Sequence, residues 1–394
     1  MTAFKVLTLN NIAPEGLDHF PRETYEVASE IGHPDAIMLR SFKMHDFDMP
    51  DTVKIVGRAG AGVNNIPIEK YGQMGIPVLN APGANANAVK ELVLAGMFLA
   101  ARNIPAAWQY VKDLELQGGD LKKAVEAGKK QYVGYEIPGK TLGVVGLGAI
   151  GVEVANAALA LGMRVIGFDP SITVRNAWNM SAGVEQAVSL DDLCTRADLV
   201  SVHVPLVEGT KNLINENRIK LLKNDAVVLN FARDGIVDED ALLARLDEET
   251  LRYYVTDFPI NDMKNHPRVI ALPHLGASTA EAELNCAVMV AENIREYLEN
   301  GNIRHSVNFP EAIMPRAPGA ARITVANANI PNMVGQITTI LADHDINIID
   351  LLNKSRGDVA YTVIDIEGGS NGDLVKEIAG IKGVLMVRSL DAAA

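Results

Sequence analysis

Three apolar segments in the middle of the chain end in polar side chains that suit acid–base chemistry. They are AVVLNF followed by Arg233, YYVTDF with Asp257 and then Asp262, and RVIALPH ending at His274. A histidine with a pKa near about 6.5 exchanges protons in either direction at neutral pH, and a carboxylate can orient its ring. A guanidinium binds a carboxylate through paired hydrogen bonds and polarises a carbonyl group. These residue types predict proton exchange with a small substrate that carries a carboxylate.

A glycine-rich turn precedes these segments and predicts a dinucleotide site. Gly146, Gly148 and Gly151 form the pattern G-x-G-x-x-G between an apolar strand and a helix. The first glycine permits a tight turn, the second lets a pyrophosphate approach the backbone, and the third allows close packing of helix and strand. The start of the helix, at Ala149 and Ile150, would offer backbone N–H groups to the phosphates.

Asp169 ends the next apolar segment, RVIGFD, 18 residues after Gly151. A carboxylate at this place accepts hydrogen bonds from ribose hydroxyl groups and repels a 2′-phosphate, so NAD is favoured over NADP. The alternative is that Asp169 and Pro170 only end the strand in a turn. The adjacent glycine pattern favours the nucleotide interpretation.

The segments that carry these residues alternate between strands and helices. Strands are predicted at TLGVVG, RVIGFD, LVSVHV, AVVLNF, YYVTDF and RVIALPH, with helices between them. The alternation predicts a Rossmann-type doubly wound parallel sheet. Because the carboxyl ends of parallel strands share one edge of a sheet, we expect Arg233, Asp257 and His274 to lie at the same edge.

The first hundred residues predict a second α/β unit. Its strands are expected at FKVLTL, DAIML, TVKIVG and IPVLN, before a long helix over 86–102. A later helix begins at the capping box of Ser278 and Glu281 and stops at Gly301. This helix would return the chain to the first unit, so we expect the nucleotide domain to be an insertion.

The end of the chain predicts a small third domain. Residues 302–321 are rich in proline, alanine and glycine and are expected to form a linker. The remaining residues fit strand–helix–strand–strand–helix–strand, which is the ferredoxin-like α+β pattern. The domains are therefore expected at 1–95 with 287–310 (substrate), 96–286 (nucleotide), 311–321 (linker) and 322–394 (C-terminal).

The composition disfavours several classes of partner. There are 36 Lys and Arg residues against 49 Asp and Glu residues, and this net charge of −13 disfavours nucleic acid as the main ligand. Cys194 and Cys286 are far apart and lie in apolar contexts, so we expect no disulfide and a cytoplasmic protein. No run of about 18 apolar residues predicts a membrane span, and no metal site is predicted.

Several motifs together make the chain similar to the D-isomer-specific 2-hydroxyacid dehydrogenases. The motifs are GKTLGVVGLGAIGVEVA, HVPLVEGTKNLIN, NFARDGIVDEDAL, LPHLGAST, RAGAGVNNIPIE and GIPVLNAPGANANAVKELVLA. The resemblance implies NAD as cofactor, a small anionic 2-hydroxy acid as substrate, and Arg233 and His274 as catalytic residues. It also implies a flavodoxin-like α/β substrate domain interrupted by the nucleotide domain.

The resemblance further implies which residues bind each ligand. The implied cofactor residues are Gly146, Gly148, Ala149, Ile150, Gly151, Asp169, Pro205, Phe231, Ala232, Asp257 and Gly276. The implied substrate residues are Arg40, Arg58, Gly60, Ala61 and Gly62. Of these, Arg40 and Arg58 are candidates to neutralise an anionic substrate group, and a solvated loop is the alternative for Arg40.

The chain departs from the family pattern beside the catalytic residues. The family's catalytic carboxylate is usually Glu, and counting from Arg233 places Asp262 there, with Asn261 beside it. Asp262 would orient His274, but it is one methylene shorter than Glu. If a one-residue gap places Asn261 there instead, His274 has no charged partner. Asp234 replaces a common Gly beside Arg233, and its negative charge opposes anion binding.

The C-terminal block resembles an ACT domain, a small fold that senses amino acids. A dehydrogenase followed by an ACT domain implies oxidation of 3-phospho-D-glycerate to 3-phosphohydroxypyruvate, the first step of L-serine biosynthesis. Asn327, Asn329 and Asn347 fall where serine-sensing relatives place ligand groups. L-serine is therefore a candidate effector, and ordinary turn residues are the alternative.

Two other functions stay open at this point. One is a reductase for another 2-oxo acid, such as hydroxypyruvate, glyoxylate or 2-oxoglutarate. The other is a non-catalytic protein that senses NAD, although Arg233 and His274 argue against it. The family also implies a homo-oligomer, either a dimer or a tetramer.

Overall fold

A computed structural model describes residues 3–260, 263–369 and 372–391 of the chain. The chain forms two compact units, Met1–Asn85 with Ala280–Ala394, and Ala86–Thr279. It leaves the first unit, builds the second and then returns. The expected insertion of one α/β domain into another is therefore confirmed.

The N-terminal part of the first unit is a parallel α/β sheet. Its elements are β1 (Phe4–Leu9), α1 (Pro14–Leu17), β2 (Tyr25–Ala28), β3 (Ala36–Leu39), β4 (Ile55–Arg58), α2 (Ile68–Gln73) and β5 (Val78–Leu79). The strands are parallel and lie in the order β2-β1-β3-β4-β5, which is the flavodoxin-like order. The sequence does not predict β2, because this edge strand has only four residues and its Glu26 is exposed.

The second unit is a larger parallel sheet with the strand order of nucleotide-binding domains. Its elements are α3 (Ala86–Ala101), α4 (Ile104–Lys112), α5 (Gly118–Gly128), β6 (Thr141–Val145), α6 (Ala149–Ala160), β7 (Arg164–Phe168), α7 (Val174–Asn179), β8 (Val184–Gln186), α8 (Leu190–Arg196), β9 (Leu199–Val202), α9 (Glu216–Leu221), β10 (Ala226–Asn230), α10 (Glu239–Asp247), β11 (Leu251–Thr256) and β12 (Val269–Ala271). The strands lie in the order β12-β11-β10-β9-β6-β7-β8. Val144 and Val255 pack into the core on one face, and Val228 and Tyr254 pack into the core on the other. Burial on both faces explains why these strands have continuous apolar sequences.

The chain then returns to the first unit and ends in an antiparallel sheet. The elements are α11 (Ala280–Asn300), β13 (Ala321–Ala328), α12 (Met333–Asp343), β14 (Ile348–Arg356), β15 (Val359–Ile366), α13 (Gly372–Ala379) and β16 (Val384–Leu390). The strands lie in the order β14-β15-β13-β16, so the expected ferredoxin-like pattern is confirmed. Ile323 and Ile364 pack against α12 and α13 on one face. Tyr361 and Val363, on the other face, join the core that surrounds α11.

Buried side chains of this sheet hold the C-terminal end of α11. Arg322 is fully buried and donates to the carbonyl oxygen of Asn300 at 2.8 Å and to both carboxylate oxygens of Asp365 at 2.5 and 2.8 Å. Arg388 donates to the carbonyl oxygen of Tyr297 at 2.9 Å. The last carbonyl groups of a helix have no partner within the helix, so the two guanidinium groups supply the missing donors. The ferredoxin-like sheet is therefore an integral part of the first unit.

The segment between α11 and β13 is packed and ordered. Phe309, Ala312 and Met314 are buried, and Ile303 and Ala312 exchange two backbone hydrogen bonds. The expectation of a linker over 311–321 is therefore corrected. The proline and glycine content of this segment suggested a loose connection, but apolar side chains anchor it. The C-terminal sheet expected as a separate domain at 322–394 belongs to the first unit.

The boundaries between the units fall at the ends of helices. The whole of α3 belongs to the second unit, and the whole of α11 belongs to the first. The boundaries expected after residues 95 and 286 are therefore corrected to 85 and 279. A boundary at either expected place would divide a helix whose backbone hydrogen bonds are continuous.

Both cysteines are buried and free of disulfides. Burial raises the pKa of Cys286 and raises that of Cys194 to about 12, so both thiols stay protonated at neutral pH. Within the described ranges, no helix is long and apolar enough to cross a membrane. In the same ranges, no three His, Cys, Asp or Glu side chains gather as a metal site would require.

Candidate active site

The second unit brings the ends of three adjacent strands to one edge of its sheet. Strands β10, β11 and β12 are parallel, and their last residues are paired in register. Asp257 directly follows β11, while Arg233 and His274 each lie three residues beyond the ends of their strands. Adjacent strands are about 4.8 Å apart, so β10 and β12 are separated by about 10 Å. Side chains of arginine and histidine can reach one small substrate across such a distance.

Asp257 anchors the segment that carries His274. Its buried carboxylate accepts hydrogen bonds from the backbone N–H groups of Leu275 at 3.0 Å and Gly276 at 2.7 Å. His274 has a φ angle of 56°, in the left-handed region that costs a residue other than glycine roughly 1–2 kcal/mol. The two hydrogen bonds hold the backbone directly after this residue. Asp257 therefore stabilises the conformation that directs the His274 side chain.

The ring of His274 is exposed and packs against Phe258. The two ring centroids are 4.8 Å apart, with the planes inclined at 60°. An exposed imidazole ring with one face supported in this way remains accessible to a substrate. Asp262 and Asn261, the alternative partners expected for His274, lie outside the described residues. Their relation to His274 therefore stays a prediction.

Arg233 extends from a turn that a buried asparagine holds. The side-chain amide of Asn230 donates to the carbonyl oxygen of Arg233 at 2.9 Å, and its Oδ1 accepts the N–H of Ala232 at 3.2 Å. The Arg233 side chain is exposed, and its Nη1 donates to the carbonyl oxygen of Ala232 at 2.6 Å. Asn230 can be recognised in the sequence as a side-chain amide at the end of an apolar strand. A buried amide needs hydrogen-bond partners, so its presence there indicates a structural contact.

The glycine-rich turn has the shape that a dinucleotide requires. Gly146 has a φ angle of 91°, and a Cβ atom on Gly151 would collide with the Gly146 carbonyl oxygen, so glycine is needed at both positions. A Cβ atom on Gly148 would meet no atom within 4 Å among the described residues. Helix α6 begins at Ala149 without a side-chain cap, so its first N–H groups remain available as donors.

Asp169 is fixed at the end of β7 by this same turn. Its Oδ2 accepts the N–H of Leu147 at 2.8 Å, and its Oδ1 accepts the N–H of Ser171 at 2.8 Å. Each carboxylate oxygen keeps a second lone pair that can accept a hydrogen bond from a hydroxyl group. The open glycine turn, the uncapped helix and this carboxylate therefore fit the pyrophosphate and adenosine ribose of NAD.

The other residues expected at the cofactor also follow strand ends or the turn. Ile150 lies in the first turn of α6, Pro205 follows β9, and Ala232 follows β10. The Phe231 side chain is buried in the core, so only its backbone could face a ligand. A Cβ atom on Gly276 would come within 3.2 Å of Asp257 Oδ2, so this position has little room for a side chain.

His203 is a neutral ring beside the glycine turn. A Cβ atom on Gly146 would lie 2.9 Å from the His203 backbone, which shows how closely the two segments approach. The His203 Nε2 is 2.9 Å from Oγ of Ser201, and burial lowers the pKa of His203 to about 4. The ring therefore adds no positive charge beside the glycine turn at neutral pH.

In the first unit, Arg58 orders the loop expected at the substrate. It ends β4 and donates from Nε to the carbonyl oxygen of Arg40 at 3.0 Å and from Nη1 to the carbonyl oxygen of Gly62. A Cβ atom on Gly60 would lie 2.6 Å from this guanidinium group, and the Ala61 carbonyl oxygen accepts the side-chain amide of Asn80. Arg58 therefore shapes the backbone of the loop as well as adding positive charge.

Arg40 lies beside Arg58 because β3 and β4 are paired at this edge. Its guanidinium group forms an ion pair of 2.7 Å with Glu283 on α11. The sequence did not indicate this partner, which is more than 240 residues away along the chain. An anionic substrate group at Arg40 would therefore have to compete with the Glu283 carboxylate.

The three asparagines expected at an effector do not meet within one chain. Asn327 and Asn329 lie at the end of β13, where β13 pairs with the start of β15. Asn347 precedes β14, whose start pairs with the end of β15. Because β13 and β14 both run antiparallel to β15, Asn347 is at the opposite end of the sheet, about 25 Å away. Among the described residues, the buried Oδ1 of Asn327 has no hydrogen-bond partner.

Comparison with known proteins shows the family of this chain. Residues 94–276 match the family model for the D-isomer specific 2-hydroxyacid dehydrogenase, NAD binding domain. A D-3-phosphoglycerate dehydrogenase from Haemophilus influenzae is 33% identical over 346 residues, which cover 85% of this chain and 80% of that protein. The chain belongs to the D-isomer-specific 2-hydroxyacid dehydrogenase family.

Other members of this dehydrogenase family resemble the chain over most of its length. A D-3-phosphoglycerate dehydrogenase from Methanocaldococcus jannaschii is 37% identical over 350 residues, covering 86% of this chain and 63% of that protein. The structure of NAD⁺-bound 3-phosphoglycerate dehydrogenase from Entamoeba histolytica has a TM-score of 0.59 and 27% identity, covering 78% of this chain and 99% of that chain. The chain spans about 60% of the length of several curated relatives that it matches. Its second unit is the NAD-binding domain of this dehydrogenase family.

Proposed function

We propose that this dehydrogenase oxidises 3-phospho-D-glycerate to 3-phosphohydroxypyruvate with NAD, the reaction that begins L-serine biosynthesis. The observation that carries the proposal is the placement of Arg233 and His274 at one edge of a nucleotide-binding sheet. Relatives that are 33% and 37% identical are named for this activity. Within the first unit, Arg40 and Arg58 lie beside each other, and we propose that they bind the second anionic group, the phosphate, of this substrate.

The proposed chemistry divides between the cofactor and the chain. NAD, when bound, supplies the acceptor for the hydride. His274 accepts the proton of the substrate's 2-hydroxyl group as the alcohol becomes a carbonyl. Arg233 binds the substrate carboxylate and stabilises the carbonyl oxygen. Asp257 keeps His274 in place, while Asp169 and the glycine turn would hold the nucleotide.

An assay of NADH formation with a panel of D-2-hydroxy acids tests this proposal. The wild-type protein should have its highest kcat/KM with 3-phospho-D-glycerate. His274→Ala should lower kcat by about 10²- to 10⁴-fold, because general base catalysis contributes that much. His19→Ala removes a half-buried histidine of the first unit, which lies 3.3 Å from Glu292, and should leave kcat unchanged. Full turnover by His274→Ala would refute the proposal.

The same assay separates the alternative functions. A higher kcat/KM for reduction of hydroxypyruvate, glyoxylate or 2-oxoglutarate would assign a different 2-oxo acid as the substrate. Binding of NAD without turnover of any acid would assign a non-catalytic protein that senses NAD. Either result would replace the proposed reaction.

We also infer that the protein forms a homo-oligomer through α4. In this helix, which is described throughout, no residue is buried. Ile104, Trp108 and Val111 lie on one helical face and are 43%, 64% and 48% exposed. An exposed apolar stripe of this kind is suited to a second copy of the chain. Trp108→Glu should lower the mass measured by light scattering, and an unchanged oligomer would contradict this interface.

L-serine is the effector that we propose for the C-terminal sheet, which we interpret as an ACT domain. The buried Oδ1 of Asn327 could accept an N–H group from an amino acid, and the exposed Asn329 lies beside it. Because Asn347 lies at the other end of the sheet, it could join such a site only from a second chain. Titration of L-serine against the initial rate, with D-serine as the control, tests the proposal. A flat response at millimolar L-serine would remove it.

We propose a cytoplasmic location for the enzyme. The two free, buried cysteines suit a reducing compartment, in which disulfides are rare. For the proposed reaction, the enzyme must also share a compartment with NAD and with its phosphorylated substrate. Fractionation of cells that express the full chain tests this location, and recovery in the membrane or secreted fraction would contradict it.

A further inference from the structure

A line of side-chain hydrogen bonds lies beneath the turn that carries Arg233. Asn230, which holds this turn, also donates from Nδ2 to the hydroxyl oxygen of Tyr254 at 3.3 Å. The Tyr254 hydroxyl group donates to Oε1 of Glu239 at 3.2 Å. Asn230 and Tyr254 are both fully buried. The line therefore joins β10, β11 and the first residue of α10 to the backbone of Arg233.

The direction of these hydrogen bonds is determined by the groups themselves. Burial raises the pKa of Tyr254, so the phenol keeps its proton and can donate it. When Glu239 is ionised, its carboxylate oxygen is the acceptor of that proton. The phenol oxygen then has lone pairs for the Asn230 amide, whose own oxygen accepts the Ala232 N–H. Each group in the line therefore fixes the orientation of the next.

Glu239 occupies a place that is unfavourable for a carboxylate. It is partly buried, and burial together with the nearby carboxylate of Asp234 raises its pKa to about 7. Asp240, its neighbour on α10, adds further repulsion. The hydrogen bond from Tyr254 opposes the effects of burial and of the two neighbouring carboxylates, because it stabilises the ionised form of Glu239. This contact is the favourable polar interaction that ties Glu239 to the Arg233 turn.

We propose that Tyr254 and Glu239 are positioning residues for Arg233, acting through Asn230 to hold the guanidinium group where it meets the substrate carboxylate. This inference rests on the proposed function for its kinetic consequence. Its structural consequence is independent of function: loss of the Tyr254 hydroxyl group should loosen the backbone of residues 231–235. No direct contact between Tyr254 or Glu239 and the substrate is required.

Four variants test the proposal in the full-length protein. Tyr254→Phe and Glu239→Ala interrupt the line, whereas Glu239→Gln keeps an oxygen that can accept from Tyr254. Tyr253→Phe is the matched control, because Tyr253 lies on the same strand but packs into the core on the opposite face. The measurements are KM for 3-phospho-D-glycerate, kcat, the Kd of NAD, and hydrogen–deuterium exchange of the peptide that spans 231–235.

Tyr254→Phe and Glu239→Ala should raise KM for the hydroxy acid by about tenfold, as expected for the loss of one buried hydrogen bond that positions a binding group. Both should speed exchange of the 231–235 peptide, with the exchange of the glycine turn unchanged. The Kd of NAD should rise less than KM does, because Phe231 and Ala232 are two of several residues expected at the cofactor. Glu239→Gln and Tyr253→Phe should both keep the wild-type KM for the hydroxy acid and the wild-type exchange of the 231–235 peptide.

Wild-type KM and wild-type exchange in Tyr254→Phe would overturn the proposal. Faster exchange spread evenly over the second unit would also overturn it, because that result describes a general loss of stability. If the wild-type protein oxidises no hydroxy acid, the proposed function fails, and the exchange of the 231–235 peptide still decides whether the line holds the Arg233 turn.

Discussion

Replacing Asp257 should separate the placement of His274 from the binding of the cofactor. The Asp257 carboxylate is 2% exposed and accepts two backbone N–H groups directly after His274. Hydrogen bonds to a charged group contribute about 1.5–3 kcal/mol each, and part of this gain is offset by the burial of the charge. We therefore expect Asp257→Ala to lower the free energy of unfolding by about 3 kcal/mol. Asp257→Asn, which keeps one acceptor oxygen, should lose about half of that.

The expected effect on catalysis follows from the left-handed backbone of His274. Without the two hydrogen bonds, the φ angle of 56° loses its support, and the imidazole ring should move by a distance of the order of 1 Å. A displacement of that size can lower the rate about 10²-fold. We expect Asp257→Ala to lower kcat by this amount at saturating NAD, and Asp257→Asn to have a smaller effect.

Steady-state kinetics with a separate measurement of NAD binding provide the assay. Thermal unfolding should show a Tm lowered by about 6–12 °C in Asp257→Ala, given the usual dependence of Tm on stability for a domain of this size. If kcat at saturating NAD and the Tm both stay at wild-type values, the anchoring role of Asp257 is refuted. If only the Kd of NAD changes, Asp257 acts on the cofactor and not through His274.

Three other groups each give a further measurable outcome: the buried ion pair of Arg322 and Asp365, the neutral His203 ring, and the Asp169 carboxylate that would bind the ribose. Arg322→Ala leaves Asp365 buried without its cation, so it should lower the free energy of unfolding by about 3–5 kcal/mol in urea titrations, and an unchanged midpoint would contradict this. His203 binds a proton near pH 6.5 when unfolded but only near pH 4 when folded, so stability should fall as the pH drops through this window. The loss should be at most about 3 kcal/mol, the free energy that corresponds to the pKa difference between the unfolded and folded states, and His203→Gln should remove this part of the pH dependence. Asp169→Ser should raise the Kd of NAD about tenfold and reduce the preference for NAD over NADP. An unchanged ratio between the Kd of NADP and the Kd of NAD would count against the contact between Asp169 and the ribose.

The sequence predicts the parallel sheets well because their strands are buried on both faces. Continuous apolar runs such as LVSV and AVVLN are visible without knowledge of the fold, and the strand order then follows from known rules for α/β domains. The edge strands β2 and β8 have no such apolar run and are not predicted, since they are short and partly exposed. Edge strands are stabilised by pairing with a neighbour, which leaves no apolar pattern in their own residues.

The candidate site was predictable where it depended on strand ends and not where it depended on tertiary pairing. Arg233 and His274 could be placed because parallel strands deliver their carboxyl ends to one edge. The anchoring of the His274 segment by Asp257 and the pairing of Arg40 with Glu283 could not, because nothing in the local sequence marks such partners.

The C-terminal sheet shows the same limit at a larger scale. Its alternation of strands and helices is evident in the sequence, whereas its attachment to the first unit is not. That attachment depends on Arg322 and Arg388, whose guanidinium groups meet the end of α11. A proline-rich sequence before the sheet suggested a flexible connection, but buried apolar side chains hold that segment in place.

The central claim is that Arg233 and His274 act on one substrate molecule at the edge of the NAD-binding sheet. A crystal structure with NAD and 3-phospho-D-glycerate bound tests it most directly. We predict a His274 ring nitrogen within about 3.2 Å of the 2-hydroxyl oxygen and the Arg233 guanidinium group paired with the substrate carboxylate. A bound substrate with either side chain turned away from these atoms would contradict the claim.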